Sequence, residues 1–255
     1  MRNPRIQYEV HMHMYSDLHQ NPFSNSRNNE HNATIESPDE IRAVLDKGDI
    51  PVMLTTSSQT IFEKSALSWL QESDISFFHH SYSFLTLQNM FRQGNSLREA
   101  FQYQQKHSIH SNDDIVYIFA RADTFLMSPV DIPCSGLGNH TDMIVPRWSS
   151  ELGYNDRFAV AGQDAAKVYA SKIEGYKEDI LARRSNPKAR PSFSNSETLL
   201  KNWLLGNRLN VTKVEDRKAW ALLRVRADGR IESKDVEQFG IQNTSLPQLA
   251  LQLGR

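Results

Sequence analysis

An arginine and an aspartate follow the most apolar stretch of the chain. Residues 114–120 are almost wholly β-branched, aromatic or aliphatic, which predicts a strand buried on both faces, and Arg121 and Asp123 come after it. Ligands of open α/β sheets bind beyond the carboxyl ends of the strands. Asp123 could hold a divalent metal through its carboxylate oxygens, and Arg121 could contact a phosphate as a bidentate donor. The alternative, which local chemistry leaves open, is an ion pair between the two side chains at the surface.

Two further carboxylates are candidate general bases. Asp156, in the run Asn155-Asp156-Arg157, could accept a proton from a hydroxyl, while Arg157 either holds a phosphate or orients Asp156. The alternative is a loop in which Asp156 caps the next element and pairs with Arg157. Glu197 is the second candidate, and its alternative is an acid in a first helical turn that complements the helix dipole. We favour Asp156 and keep Glu197 in reserve.

A basic segment could contribute further phosphate-binding charge. Residues 181–191 are rich in arginine, lysine and proline, which predicts a loop. Arg184, together with Arg183, Lys188 and Arg190, could close over a pyrophosphate. The alternative is an ordinary solvated loop.

The histidines and the cysteine carry less chemistry. His11 and His13 share one strand face at a spacing that can chelate metal, but no third ligand is placed, so packing or surface histidines are favoured. Cys134 is the single cysteine, which rules out a disulfide within the chain and a thiolate zinc cluster.

The elements that must position these residues alternate between strands and helices. Ser37-Pro38-Asp39-Glu40 has the residues of a capping box and predicts a helix that ends at Gly48. Strands are predicted at 6–14, 51–54, 114–120, 143–146 and 220–226, and helical spacing at 61–70, 84–107, 165–173 and 196–206. This alternation predicts an α/β sandwich with a mostly parallel sheet.

Composition limits the class of protein. A chain of 255 residues with 39% hydrophobic and 23% charged residues predicts one soluble globular domain over 1–255, with a weakly patterned tail after about 236. No apolar run approaches the roughly 18 residues of a membrane helix, and the N-terminus lacks the apolar core of a signal peptide. A net charge of -1 offers no electrostatic basis for nucleic acid as a partner.

Four segments in order carry a resemblance. They are the R-x-D run at 121–126 with 128–131, G-x-N-D-R-F-A at 153–160, S-E-x-x-L at 196–200 and R-x-R-A-x-G at 224–229. Over roughly residues 110–235 the chain resembles a small glycosyltransferase-like family of plants, algae, fungi and large algal viruses. That family has the GT-A, nucleotide-diphospho-sugar transferase fold.

The resemblance implies a function and roles for the candidate residues. The expected activity is that of a hexosyl- or pentosyltransferase, which moves a sugar from a nucleotide-sugar donor to a glycan or other hydroxyl acceptor. Mn²⁺ or Mg²⁺ would be held by Asp123. Asp156 or Glu197 would be the base, and the donor phosphates would contact Arg121, Asp123, Arg157 and Arg184. The expected location is the cytoplasm for a complete chain, or the Golgi lumen for a trimmed fragment.

The chain departs from the family at three points, and the first two favour an alternative, a catalytically silent GT-A relative that binds carbohydrate or nucleotide. The family usually has a strand before the one at 8–14, and almost nothing precedes Ile6 here. The usual metal motif of GT-A enzymes is D-x-D, whereas this chain has Arg121 in the first position. Asn195 stands where the family often has histidine.

Overall fold

The computed structural model describes most of the central part of the chain. The described residues are 9–15, 38–46, 52–108, 115–127, 137–150, 152–186, 194–215, 220–225, 231–232 and 235. The chain divides into two compact units, residues 1–110 with 180–193, and residues 111–179 with 194–255. The single domain predicted from length stays a prediction. Among the described helices, none is long and apolar enough to cross a membrane.

The first unit contains one parallel strand pair and several helices. Its elements are β1 (Val10–Tyr15), α1 (Pro38–Leu45), β2 (Val52–Ser57), α2 (Gln59–Ala66), a 3₁₀ segment (Glu72–Phe77) and α3 (Phe84–His107). β1 and β2 pair in register from Val10 with Val52 to Tyr15 with Ser57. Asn95 of α3 donates to the Tyr15 hydroxyl at 3.0 Å, which ties α3 to the end of β1.

Serine caps fix where two of these helices begin. The Ser58 side chain accepts from the backbone N–H of Ile61 at 3.1 Å, and the Ser83 side chain accepts from that of Thr86 at 3.1 Å. The helix predicted at 84–107 is confirmed over its whole length. The helix predicted at 61–70 is confirmed only in part, because α2 ends at Ala66.

The second unit is built on a four-stranded mixed sheet. Its strands are β3 (Tyr117–Ala120), β5 (Asp142–Pro146), β6 (Phe158–Ala161) and β7 (Asn210–Val214), in the order β3-β6-β5-β7. β6 runs antiparallel to both β3 and β5, and only β5 and β7 pair in parallel. A separate antiparallel pair joins β4 (Thr124–Leu126) to β8 (Leu222–Arg224).

The α/β class is therefore confirmed. Among the described strands, parallel pairing is found only between β1 and β2 and between β5 and β7. Residues 147–157, which connect β5 to β6, contain no helix in their described part. A parallel pair needs a crossover of about a dozen residues or more, usually helical, while an antiparallel pair can be joined by a short connection.

The middle of this sheet is fully buried, while its edge is not. All of β6 and the core of β5 are buried, and Phe158 packs edge-on against Trp220 with ring centroids 5.2 Å apart. β3 was expected to be buried on both faces, which is wrong: Ile118 is 47% exposed. Within the described sheet β3 is an edge strand that pairs with β6, so its alternate side chains face outward.

Three helices lie between β6 and β7 in the chain, and the last residues of α5 belong to the first unit. They are α4 (Gln163–Ala170), α5 (Lys172–Ser185) and α6 (Ser196–Gly206). Asn195 begins α6, because its side chain accepts from the backbone N–H of Thr198 at 2.7 Å. The loop predicted at 181–191 is wrong for its first part, since α5 continues to Ser185. Residues 181–184 are good helix formers, and the first proline comes only at Pro187.

Several predicted features lie outside the described residues. They are the Ser37 cap, the segment 128–131, Cys134, Lys188, Arg190, residues 226–229 of the R-x-R-A-x-G segment and the tail after 236.

Alanine substitutions at two helical glycines should have different effects on the free energy of unfolding. An ideal Cβ on Gly175 would lie 2.3 Å from Cε3 of Trp203, whose ring nitrogen is already bonded to the Val168 carbonyl. Gly175→Ala should therefore lower the free energy of unfolding by about 1–3 kcal/mol. Gly206→Ala, where nothing lies within 4 Å, should leave it unchanged or raise it by up to about 1 kcal/mol. Urea unfolding of both variants checks this, and equal effects would contradict the packing described here.

Candidate functional site

Residues from three of the resembling motifs meet in the second unit. The antiparallel register pairs Ala120 with Phe158, so the end of β3 lies beside the start of β6. The backbone N–H of Arg121 continues this ladder by donating to the Arg157 carbonyl at 3.0 Å. Arg121 and Asp156 are thereby brought together although they are far apart in sequence, with Arg121 Nη1 at 3.4 Å from Asp156 Oδ2.

Asp123 lies between two guanidinium groups. Arg121 donates to it through Nε at 2.9 Å and Nη2 at 2.8 Å, and Arg224 donates through Nε at 2.8 Å. The pairing of β4 with β8 positions Arg224, because it places Thr124 opposite Arg224. Burial alone would raise the pKa of Asp123, but the two arginines outweigh it and hold that pKa well below its usual range. The ion pair that the sequence left open is therefore present, as a half-buried network with two arginines.

This arrangement does not fit a divalent metal at Asp123. Both carboxylate oxygens already accept from guanidinium groups, and a metal ion would have to enter beside two fixed positive charges. The described residues also contain no group of three or more histidine, cysteine or acidic side chains that could hold a metal. The metal expected from the resemblance stays a prediction.

Asp156 is almost completely buried among cations. Burial raises its pKa, but Arg121, Lys172, Arg157 and Arg224 together lower it further than burial raises it. A general base works best when its pKa lies near the working pH. The surroundings therefore make Asp156 a poor proton acceptor and a good counterion.

Arg157 is held by an aspartate that sequence patterns gave no reason to select. Its Nη1 lies 2.8 Å and 2.7 Å from the two carboxylate oxygens of Asp235, which is 0% exposed. Asp235 also accepts from the backbone N–H of Arg224 at 2.7 Å. Arg157 was predicted to bind phosphate or to pair with Asp156. Its observed partner is Asp235, and the bonds of that carboxylate join β6 and β8.

Lys172 is a second residue that sequence analysis missed. It is the first residue of α5, it is 7% exposed, and its Nζ lies 4.6 Å from the ring centroid of Tyr169. Burial lowers the pKa of Lys172 to about 8; Asp156 and Glu197 oppose this shift, and Arg121 adds to it. The only available signal was a lysine within the apolar helical pattern at 165–173, and such residues are usually exposed.

Glu197 lies in the first turn of α6, where its charge complements the helix dipole as the sequence allowed. Its carboxylate accepts from the Ser196 hydroxyl at 2.9 Å, and its backbone carbonyl accepts from the N–H of Tyr154 at 3.0 Å. Gly153 packs so closely here that an ideal Cβ would lie 1.9 Å from the Glu197 carbonyl oxygen. Glu197 is also close enough to raise the pKa values of Arg121 and Lys172.

Arg184 lies in the first unit, on α5. Its Nε donates to Asp74 at 2.7 Å and its Nη2 donates to the Trp69 carbonyl at 2.8 Å. Asp74 is 1% exposed. The prediction that Arg184 binds phosphate depended on a loop that could close, and that loop is helical at this position.

The two strand histidines also belong to the first unit. Nε2 of His11 lies 3.3 Å from Glu9, and Nε2 of His13 lies 2.9 Å from the Ser57 hydroxyl. Burial lowers the pKa of His13 to about 4, so its ring is neutral at neutral pH. These contacts favour the packing role.

Comparison of the chain with protein-family models, with curated proteins and with solved structures gave no match. The family resemblance therefore stays a prediction.

Removing the buried charge of Asp235 should lower the stability of the protein. Asp235→Asn would leave the guanidinium of Arg157, which is 12% exposed, without its countercharge. We expect a loss of about 3 kcal/mol in the free energy of unfolding. Glu215→Gln is the matched control, because Glu215 and its partner Arg147 are 61% and 64% exposed and such pairs contribute about 1 kcal/mol or less. Denaturant unfolding of both variants tests the difference, and similar losses would contradict this role of Asp235.

Proposed function

We propose that this protein transfers a sugar from a nucleotide-sugar donor to a hydroxyl group of a glycan or other acceptor, on a GT-A-like fold. The observation that carries the proposal is the convergence of Arg121, Asp156 and Arg224 in one charged cluster. These residues come from three separate motifs of the resemblance. If the motifs served only local structure, no cluster of this kind would be required.

The cluster has the chemistry that a departing nucleoside diphosphate needs. Negative charge grows on the leaving phosphate as the bond to the sugar breaks, and preorganised cationic donors stabilise it. Arg121 is oriented by its contact with Asp156 before a ligand arrives. A fixed guanidinium suits phosphate recognition because it loses little freedom on binding.

Glu197 is the better candidate for the base that removes the acceptor proton. The cations around Asp156 lower its pKa and weaken it as a proton acceptor. Glu197 is only partly buried, and the close contact at Gly153 fixes its backbone beside the loop that carries Asp156. We therefore reverse the order expected from sequence: Glu197 takes the proton, and Asp156 orients Arg121.

A second candidate function is favoured by the fully engaged carboxylates. Asp123 and Asp235 both have their oxygens occupied by arginines or backbone donors, which is what a purely stabilising network would show. A silent relative that binds a nucleotide or carbohydrate without turnover would fit this observation.

A ligand screen separates these candidates. The melting temperature is measured with UDP-, GDP- and dTDP-sugars, each with and without Mn²⁺. A donor that binds the native state at 100 times its Kd should stabilise it by about 2.7 kcal/mol. A shift, together with transfer of the sugar to a hydroxyl acceptor and release of nucleoside diphosphate into solution, supports sugar transfer. A shift without transfer supports a silent relative that binds nucleotide, and no shift with any donor would overturn sugar transfer and leave only a silent relative that binds carbohydrate.

The assignment of the base predicts different kinetics for two isosteric variants. Glu197→Gln should lower kcat about 10²–10⁴-fold with little change in donor affinity, because only proton removal is lost. Asp156→Asn should instead weaken donor binding, because Arg121 loses an orienting partner. Glu178→Gln, on the exposed side of α5, is the matched control. Near-normal kcat in Glu197→Gln would remove Glu197 from this role.

A further inference from the structure

Lys172 is a largely buried lysine at the start of α5. It is 7% exposed, and among the described residues no hydrogen bond from its Nζ is recorded. Its Nζ lies over the ring face of Tyr169. It also interacts electrostatically with Asp156, Arg121 and Glu197. An ammonium group on a side chain that is largely removed from water gains from acceptors beside it. A ligand with several acceptor oxygens would supply them.

Asp123 occupies the kind of position that a phosphate would take. Arg121 holds it with two parallel bonds and Arg224 adds a third, which is also the geometry of arginine with phosphate. Its side chain is 30% exposed, against 17% for Arg121 and 23% for Arg224. The carboxylate is therefore the more accessible partner in each pair, and the one that an incoming anion would meet first.

Arg157, the remaining arginine of the cluster, is less able to exchange its carboxylate partner for a ligand. Arg157 is paired through one nitrogen with both oxygens of Asp235, and Asp235 is fully buried. A ligand that displaced Asp235 from Arg157 would leave a fully buried carboxylate without its countercharge. The exchangeable cations are thus Arg121, Arg224 and Lys172.

We infer that Arg121, Arg224 and Lys172 form a metal-free subsite for the diphosphate of a nucleotide ligand, in which Asp123 is the counterion that the diphosphate displaces. This inference rests on the proposed function and identifies how its donor is held. The three side chains supply the positive charge that a divalent metal supplies elsewhere. The start of α5 at Lys172 adds the positive end of a helix dipole.

The displacement of Asp123 gives a test whose sign separates this subsite from a metal site. If Asp123 is a competing counterion, Asp123→Asn should tighten nucleoside diphosphate binding by about tenfold, because a like charge beside the bound anion is removed. If Asp123 is a metal ligand, the same variant should weaken binding. Isothermal titration calorimetry with UDP, GDP and dTDP, in EDTA and in Mn²⁺, measures the change.

Lys172 is tested by its own pair of variants. Lys172→Met keeps the length of the side chain and should weaken binding in EDTA by about tenfold or more, because a charged hydrogen bond is lost. Lys167→Met is the matched control: Lys167 lies on α4, is 51% exposed, and pairs only with Asp164 among the described residues. Melting temperatures of all variants show whether each has folded, and the Lys172 pair remains informative if Asp123→Asn is unstable.

The pH dependence of binding provides an independent readout. Lys172 faces Asp156, Arg121, Glu197 and Tyr169, and its pKa is lowered to about 8. Affinity in the wild type should therefore fall as the pH rises above about 8, because the ammonium loses its charge. Lys172→Met should lack this fall.

Each outcome decides a specific point. Binding in EDTA that tightens in Asp123→Asn and weakens in Lys172→Met supports the subsite. Binding that needs Mn²⁺ and is lost in Asp123→Asn overturns the subsite but leaves sugar transfer standing. Metal-free binding that is unchanged in Lys172→Met removes Lys172 from the subsite. Failure of all three nucleotides to bind, with and without Mn²⁺, overturns the proposed function itself.

Discussion

The charged cluster of the second unit depends on one buried carboxylate, that of Asp235. A carboxylate with no exposure is tolerated only if its charge and its lone pairs are satisfied, and Asp235 has Arg157 and the backbone of Arg224 for this purpose. These bonds hold β8 against the start of β6. Together with the pairing of β4 and β8, they place the Arg224 side chain beside Asp123.

Local sequence patterns located elements well where the cause of the element is local. α3 and α6 follow from apolar spacing at helical period and from polar residues at their starts, such as Ser83 and Asn195. The same patterns could not place β6 between β3 and β5, because strand order depends on pairing between distant segments. They also placed the end of α5 too early, because arginine-rich sequence was taken as loop although arginine favours helices.

The candidate site divides in the same way. Arg121 and Asp123 could be selected because they follow a run that is recognisable as a strand, and Asp156 because it belongs to the Asn155-Asp156-Arg157 motif. Lys172 and Asp235 could not, since a buried charge looks like any other charged residue until its partners are known. The role of Asp123 also depends on Arg224, which lies far along the chain. Because Arg224 as well as Arg121 binds its carboxylate, Asp123 is paired with two arginines instead of being free to bind the expected metal.

The close contact at Gly153 has a consequence for how this chain can vary. The Glu197 carbonyl oxygen lies where any β-carbon at position 153 would be, and the neighbouring Tyr154 N–H is bonded to that same oxygen. A larger residue would have to separate the loop before β6 from the start of α6. In a library of all single substitutions, position 153 should accept glycine alone, although it carries no side chain that could take part in chemistry.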